Sequence, residues 1–289
     1  MLKLYSYGKI NLFLDIEGTL KNGYHLIKTV MQSIDLHDEV IIESIDKNKI
    51  VIECSDSTIP VDEKNTCHKA ATIIKQMYNI NLGVNIKINK KIPSEAGLAG
   101  GSSNSAAVIA GLNKLWKLNI SENEMLKIGL KIGADVPFCL LGGTYLAEGI
   151  GEKLTKLNNY KWENILIIKP DFSMSTAFVY NNLTTENYNL YSNNNILNYI
   201  SENKFYETSL SASNALEKAV EKFHPEINDI KNFLIKNGAL CSKMTGSGSA
   251  IFGLFECNES LNNAYNKAIE IYPQVFKTKT SAVGINFYV

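Results

Sequence analysis

The run Gly97-Leu98-Ala99-Gly100-Gly101-Ser102-Ser103-Asn104 sets glycines beside hydroxyl and amide side chains and then turns apolar at Ala106-Ala107. A glycine-rich turn that opens a helix offers free backbone N–H groups at the positive end of the helix dipole, which suits a phosphate. Serine hydroxyls there add donors. Taken alone, such a loop reads equally as a tight strand-to-helix connection in which glycine supplies positive φ. No Lys-Ser or Lys-Thr follows the glycines and no G-x-G-x-x-G occurs, so neither common nucleotide fingerprint applies. A second turn, KMTGSGSAI from Lys243 to Ile251, puts Gly246, Ser247 and Gly248 between two apolar runs. By itself it reads as a hairpin. Lys9 and Asn11 fall on one face of a predicted strand, because strand side chains alternate with period two. Asp135 lies in a Gly-Ala-Asp-Val-Pro turn after a helix. Taken singly, Lys9 reads as a solvated edge lysine and Asp135 as a turn-capping carboxylate.

Alternating and helical patterns must position these groups. Strands are predicted at Lys3–Tyr7, Ile10–Ile16, Asp38–Ser44, Lys49–Cys54, Gly83–Asn89 and Thr144–Glu148, and a buried one in ENILIIKP. Helices are predicted at Thr66–Tyr78, at Ser103–Leu115 and from Ser121, where Glu124 completes a capping-box pattern. In the second half they are predicted at Ser211–Phe223, Glu226–Asn237 and Ser260–Tyr272, and the tail VFKTKTSAVGINFYV alternates. The Asn-rich stretch from Asn181 to Asn203 reads as loop with a short helix. A polar, glycine-bearing stretch from Gly149 to Lys161 marks a domain boundary.

The chain has 289 residues, 45% of them apolar, enough for two domains with sizeable cores. Its 29 basic and 29 acidic side chains cancel. That removes any general footprint for nucleic acid or an anionic membrane, so an anionic ligand must be held locally. The cysteines, Cys54, Cys67, Cys139, Cys241 and Cys257, form no C-x-x-C pair and read as reduced core thiols of a cytoplasmic protein. Cys67-His68 has no ligand-spaced partner for a metal. His37, His68 and His224 read as ordinary surface or helix residues. The first residues read as strand, not as a signal or plastid presequence, and no run approaches a membrane span of ~20 apolar residues.

In order along the chain, Gly8-Lys9-Ile10-Asn11-Leu12, Asn22-Gly23-Tyr24-His25, IPSEAGLAGGSSNSAA, GADVPF and KMTGSGSAIFG closely resemble the superfamily of small-molecule kinases named for galactose, homoserine, mevalonate and phosphomevalonate. The resemblance runs from Lys9 to Gly248. It implies a two-domain α/β (α+β) fold with the site between the domains. Residues 1–155 would form an ATP-binding, ribosomal-protein-like α/β domain and residues 156–289 a ferredoxin-like α/β domain. Within the superfamily the KINL, GYH and GADVPF set points to phosphoryl transfer in the non-mevalonate isoprenoid pathway. The implied reaction moves the γ-phosphoryl group of ATP to the 2-hydroxyl of a methylerythritol bearing a cytidine diphosphate.

Carried over residue by residue, the resemblance makes Lys9 and Asp135 the catalytic pair. Phosphoryl transfer to an alcohol calls for a carboxylate to accept the hydroxyl proton and a cation to keep it ionised. Asn11 would lie near the erythritol hydroxyls, His25 would read the cytosine, and Tyr24 and Tyr180 would stack on it. ATP would be held by Asn65 at the adenine and by Pro93, Gly97, Leu98, Ala99, Gly100, Gly101, Ser102, Ser103, Asn104, Gly246, Ser247 and Gly248. Mg2+ is expected with ATP, and no protein ligand for it is assigned. Gly8 stands where many relatives have alanine, which leaves Lys9 unaffected. Two other readings stay open: a different acceptor (mevalonate, homoserine or a sugar), and a nucleotide-binding relative without chemistry. The intact Lys9 and Asp135 argue against the second.

Overall fold

Residues 1–288 are described by a computed structural model; Val289, at the end of the alternating tail, lies outside them. Two long antiparallel strands open the chain, β1 (Leu2–Thr19) and β2 (His25–Ile45). The predicted strands Lys3–Tyr7 and Ile10–Ile16 are thus continuous in β1, and Asp38–Ser44 is the end of a much longer β2. The pairing is interrupted only by register shifts between Tyr7 and Lys9, between Asn11 and Phe13 and between Ile16 and Gly18. Such irregularities re-aim side chains, and the first two bracket Lys9 and Asn11. The sheet continues through β3 (Ile50–Cys54) and β4 (Gly83–Asn89) and, with the last strand, β12 (Ile285–Tyr288), has the order β12-β1-β2-β4-β3. β5 (Thr144–Gly149) pairs with β2, and β6 (Lys153–Lys156) pairs with β5.

Helices α1 (Thr66–Met77) and α2 (Gly100–Leu115) cover one face of this sheet, joined by α3 (Glu122–Leu130) and α4 (Val136–Leu141). α1 buries Cys67, Ala70, Ala71 and Ile74, the stripe that its 3.6-residue period requires. Small residues in α2 let it lie close to the strands: Gly111 sits beside Ile42 and Leu4. Asn65 and Ser121 cap α1 and α3 by accepting the N–H groups of Cys67 and Glu124.

The second half is built on a four-stranded antiparallel sheet. Its order is β11-β7-β10-β9, from β7 (Ile165–Lys169), β9 (Ala239–Met244), β10 (Ile251–Phe255) and β11 (Gln274–Thr278). All of β7 and β10 is buried, as the unbroken apolar runs require. α9 (Glu226–Lys236) and α10 (Asn258–Ala268) lie against it. Short helices fill the polar middle: α5 (Thr176–Asn181), α6 (Ile196–Ser201), α7 (Phe205–Leu210) and α8 (Glu217–Glu221).

One predicted helix is mostly not helical. Within Ser211–Phe223 only α8 forms, because Ser213–Asn214 becomes β8, parallel to β1 at Phe13 and Leu14. The Asn214 side chain takes the Leu216 N–H, competing with a helix for that group, and donates to the Met244 and Gly246 carbonyls. The last strand, β12 (Ile285–Tyr288), returns to pair with β1. A shared core packs Ile10, Leu12 and Phe13 of β1 against Ile165, Ile167 and Phe252 of the second sheet. Three cysteines are buried, Cys54 is partly exposed and Cys257 is exposed rather than in the core; all five are free. Among the described residues no helix is long and apolar enough to cross a membrane.

Candidate active site

Lys9 enters the site from the middle of β1 and is only 4% exposed, so it is not a solvated edge lysine. Its Nζ donates to Asn11 Oδ1 at 2.7 Å and stands 3.9 Å from Asp135 Oδ2. Asp135 occupies the position before α4 where a carboxylate normally caps, yet its side chain makes no capping bond. Pro137 in the first turn removes one N–H that a cap would serve. The carboxylate is therefore free for Lys9, with 33% of the side chain open to solvent.

Both glycine loops reach this pair. The Lys9 N–H donates to the Leu98 carbonyl at 3.1 Å. The Ala250 N–H donates to the Ala96 carbonyl at 3.2 Å, which ties the second loop to the first. Thr245 supplies the central fastening: its hydroxyl lies 3.3 Å from both Asn11 Oδ1 and the Gly97 carbonyl and accepts the Asn11 N–H at 3.1 Å. Two glycines are demanded by this closeness. A Cβ on Gly97 (φ +73°) would lie 2.0 Å from the Thr245 carbonyl oxygen. One on Gly246 (φ +54°) would meet Lys9 Nζ at 3.0 Å, the Gly97 oxygen at 3.2 Å and Asn11 Oδ1 at 3.3 Å. Gly246 is thus where ammonium, loop and amide converge.

In the first loop Ala99 adopts a left-handed conformation before α2, and the Ser103 N–H already donates to the Ala99 carbonyl. The N–H groups of Gly100, Gly101 and Ser102 precede that first helical bond and point out of the helix start. Ser103 and Asn104 turn inward. Ser103 Oγ donates to the Tyr7 carbonyl at 2.7 Å, and Asn104 donates to Ser6 Oγ at 2.8 Å and Asp38 Oδ2 at 2.9 Å. Their side chains hold the helix to the sheet. Pro93 and Leu98 are buried beneath the loop. Asn65 is likewise engaged, capping α1 and donating to the Pro60 carbonyl. Thr66, next to it, donates to the Gly101 carbonyl at 3.2 Å, so α1 starts beside the start of α2. In the second loop Ser247 Oγ lies 3.0 Å from Thr176 Oγ1.

The aromatic residues gather at the far end of the β1–β2 hairpin. His25 faces Tyr180 with ring centroids 5.3 Å apart and planes tilted by 47°, and Tyr188 meets it edge-on at 6.1 Å. Burial lowers the His25 pKa, which favours the neutral ring. The Tyr180 hydroxyl is pushed up by burial and then by the Asp135 carboxylate, which links the aromatic pair electrostatically to the Lys9–Asp135 pair. Tyr24 is not packed in a core; it is 60% exposed at the hairpin turn.

Thr29, Thr245, Asn214 and Tyr188 were not singled out by sequence reasoning. Thr29 accepts the Asn11 amide at 2.8 Å. Only Thr245 carried a signal, inside the quoted KMTGSG turn. Of the other three, Thr29 lies outside the predicted elements, Tyr188 in the Asn-rich stretch and Asn214 inside the predicted helix Ser211–Phe223. Among the described residues no three His, Cys, Asp or Glu side chains gather as a metal site.

Residues 65–143 match the GHMP kinases N terminal domain and residues 200–274 the GHMP kinases C terminal domain. The chain belongs to the GHMP kinase family. Among these kinases it is 43% identical to 4-diphosphocytidyl-2-C-methyl-D-erythritol kinase of Clostridioides difficile (strain 630), over 98% of this chain and 97% of that one. It is 44% identical to the protein of the same name from Acetivibrio thermocellus, over 96% and 99%. A crystal structure of 4-(cytidine 5'-diphospho)-2C-methyl-D-erythritol kinase superposes with a TM-score of 0.81 at 26% identity, covering 96% of this chain and 99% of that one. A homoserine kinase from Cytophaga hutchinsonii shares the fold, with a TM-score of 0.80 at 20% identity and coverage of 99% and 97%. The mixed α/β architecture is therefore that of a GHMP kinase, a small-molecule phosphotransferase that uses ATP.

Proposed function

We propose that this GHMP kinase phosphorylates the 2-hydroxyl of 4-diphosphocytidyl-2-C-methyl-D-erythritol with ATP, giving the 2-phosphate and ADP in the non-mevalonate isoprenoid pathway. The observation that carries this reading is 43% identity over 98% of the chain to a kinase of that name. The aromatic cluster, whose Tyr180 hydroxyl feels the Asp135 carboxylate, supports it, because a pyrimidine needs ring faces and a hydrogen-bonding edge.

In this reading the Asp135 carboxylate accepts the proton of the attacking hydroxyl. The 3.9 Å between Lys9 Nζ and Asp135 Oδ2 is too long for a direct hydrogen bond. An acceptor oxygen seated against both groups would receive a bond from the ammonium while donating its proton to the carboxylate. Phosphoryl transfer asks mainly for positioning and charge stabilisation. Lys9 and the outward N–H groups at the start of α2 supply positive charge to the phosphoryl oxygens, while Asn11 orients the acceptor. Tyr24, His25 and Tyr180 hold the cytosine. Asn65 and Pro93, Leu98 and Ala99 shape the nucleotide side, and Gly246, Ser247 and Gly248 close the phosphate side. Mg2+ would travel with the phosphates, and no step here depends on a protein ligand to it. We assign residues 1–155 and 156–289 to the two domains, with β12 crossing back, and read the enzyme as cytoplasmic.

The test is to incubate the purified protein with ATP and 4-diphosphocytidyl-2-C-methyl-D-erythritol, and separately with mevalonate and homoserine. ADP should form one-for-one with the 2-phosphate of the cytidyl acceptor only. Turnover confined to mevalonate or homoserine would overturn the substrate assignment. ATP binding with no turnover of any acceptor would overturn the enzymatic one.

A further inference from the structure

The Asn-rich stretch after α5 has no role in the reaction described above, yet it is docked on the hairpin that carries His25. β1 and β2 end with Thr19 opposite His25, followed by a turn of exposed residues, and a strand end of this kind frays unless something braces it. The brace comes from the second half of the chain. Tyr188 Oη and Thr19 Oγ1 are hydrogen bonded at 2.6 Å, while the same tyrosine ring stands edge-on to His25 at 80°. The segment carrying Tyr188 is fastened in turn. The Asn189 N–H donates to the Ile16 carbonyl at 2.8 Å. The Asp15 carboxylate, 3% exposed, accepts the N–H groups of Leu190 at 3.1 Å and Tyr191 at 3.0 Å. A buried carboxylate spent on backbone N–H groups rather than on a cation fixes a loop in one place.

We propose that Tyr188 is a positioning residue for acceptor recognition, clamping Thr19 and holding the His25 imidazole between itself and Tyr180 so that its edge meets the cytosine. This rests on the cytidyl acceptor proposed above. Tyr188 does not touch the reacting atoms, so its loss should act on the acceptor's binding and not on phosphoryl transfer.

The experiment compares Tyr188→Leu, Tyr188→Phe, Thr19→Val and the Phe/Val double variant with the parent enzyme. The expected result for Tyr188→Leu is a KM for 4-diphosphocytidyl-2-C-methyl-D-erythritol raised about 10- to 100-fold, that is ~1.4–2.8 kcal/mol, with kcat and the KM for ATP within about twofold. Tyr188→Phe and Thr19→Val should each raise that KM a few-fold, and the double variant no further, because both remove the same bond. With only four histidines in the chain, the His25 ring resonance can be followed in the ligand-free enzyme, where it should shift in Tyr188→Leu. An unchanged acceptor KM or an unmoved His25 resonance in folded Tyr188→Leu overturns the inference. So does a loss spread equally over kcat and the KM for ATP, which marks a general folding defect. If Tyr188→Leu does not fold, additive effects of the two milder changes overturn it. Should the parent enzyme not accept the cytidyl substrate, the proposed function fails, while the His25 resonance still decides whether the clamp exists.

Discussion

The Lys9 ammonium has an amide oxygen at 2.7 Å and a carboxylate at 3.9 Å as its polar neighbours, and burial leaves it little water. Removing either member of the pair should therefore act on chemistry first. Asp135→Asn and Lys9→Ala are expected to lower kcat by about 10²- to 10⁴-fold, the range for a positioned general base. Thermal unfolding should stay close to the parent's in Asp135→Asn, since that side chain caps no helix. Near-parent turnover in a folded variant would remove the pair from the mechanism. His25 adds a pH dependence. Burial lowers its pKa from 6.5, so the folded protein disfavours the charged ring. The associated stability is present above 6.5 and is lost as pH falls through the lowered folded value. If the neutral ring reads the cytosine, the acceptor KM should rise in that same acid window while the KM for ATP holds. Steady-state assays between about pH 5 and 8 check this, and an acceptor KM flat over that range would count against His25.

At the scale of elements, α2 is fixed by charge as well as by its small residues. Asp38, fully buried in β2, pairs with the Lys90 ammonium and accepts the N–H groups of Lys91 at 2.6 Å and Ile92 at 2.8 Å and the Asn104 amide at 2.9 Å. One carboxylate thus holds both the run into the glycine loop and the first turn of the helix behind it. Breaking a buried pair from one side strands the other charge, at a cost of about 3–5 kcal/mol. Asp38→Ala should lower the unfolding free energy by that amount in urea and raise the KM for ATP. Asp38→Asn, which keeps an acceptor for the N–H groups, should cost less. This also shows why Ser103 and Asn104, adjacent to Ser102 in the same motif, do different work. The helix turns about 100° per residue, so positions 103 and 104 face the sheet.

Across the whole molecule, Asn214 braces the second glycine loop, which Thr245 fastens to the site of the first half. It belongs to the short strand beside β1 and carries the Met244 and Gly246 carbonyls at 2.8 Å each. Asn214→Ala leaves both without a partner in a buried setting and should cost about 1–3 kcal/mol. It should also lower kcat, because Gly246 abuts Lys9. Urea unfolding read beside initial rates checks this, and a stability loss without a rate loss would uncouple the second loop from catalysis. Local order alone determined much of this protein. A period-two run marked β4, an unbroken apolar run marked β7, a 3.6-residue stripe marked α1, and the order of five short motifs pointed to the kinase family and its reaction. Those signals are legible because each rests on neighbours in the chain. Only the tertiary structure decided that Lys9 is buried and shared between Asn11 and Asp135, that Thr245 fastens one loop to the other while Asn214 braces the second, and that residues 213–214 form strand where helix was predicted. These outcomes depend on partners far away in sequence, up to 234 residues between Asn11 and Thr245. No local pattern encodes which backbone group a distant side chain will satisfy.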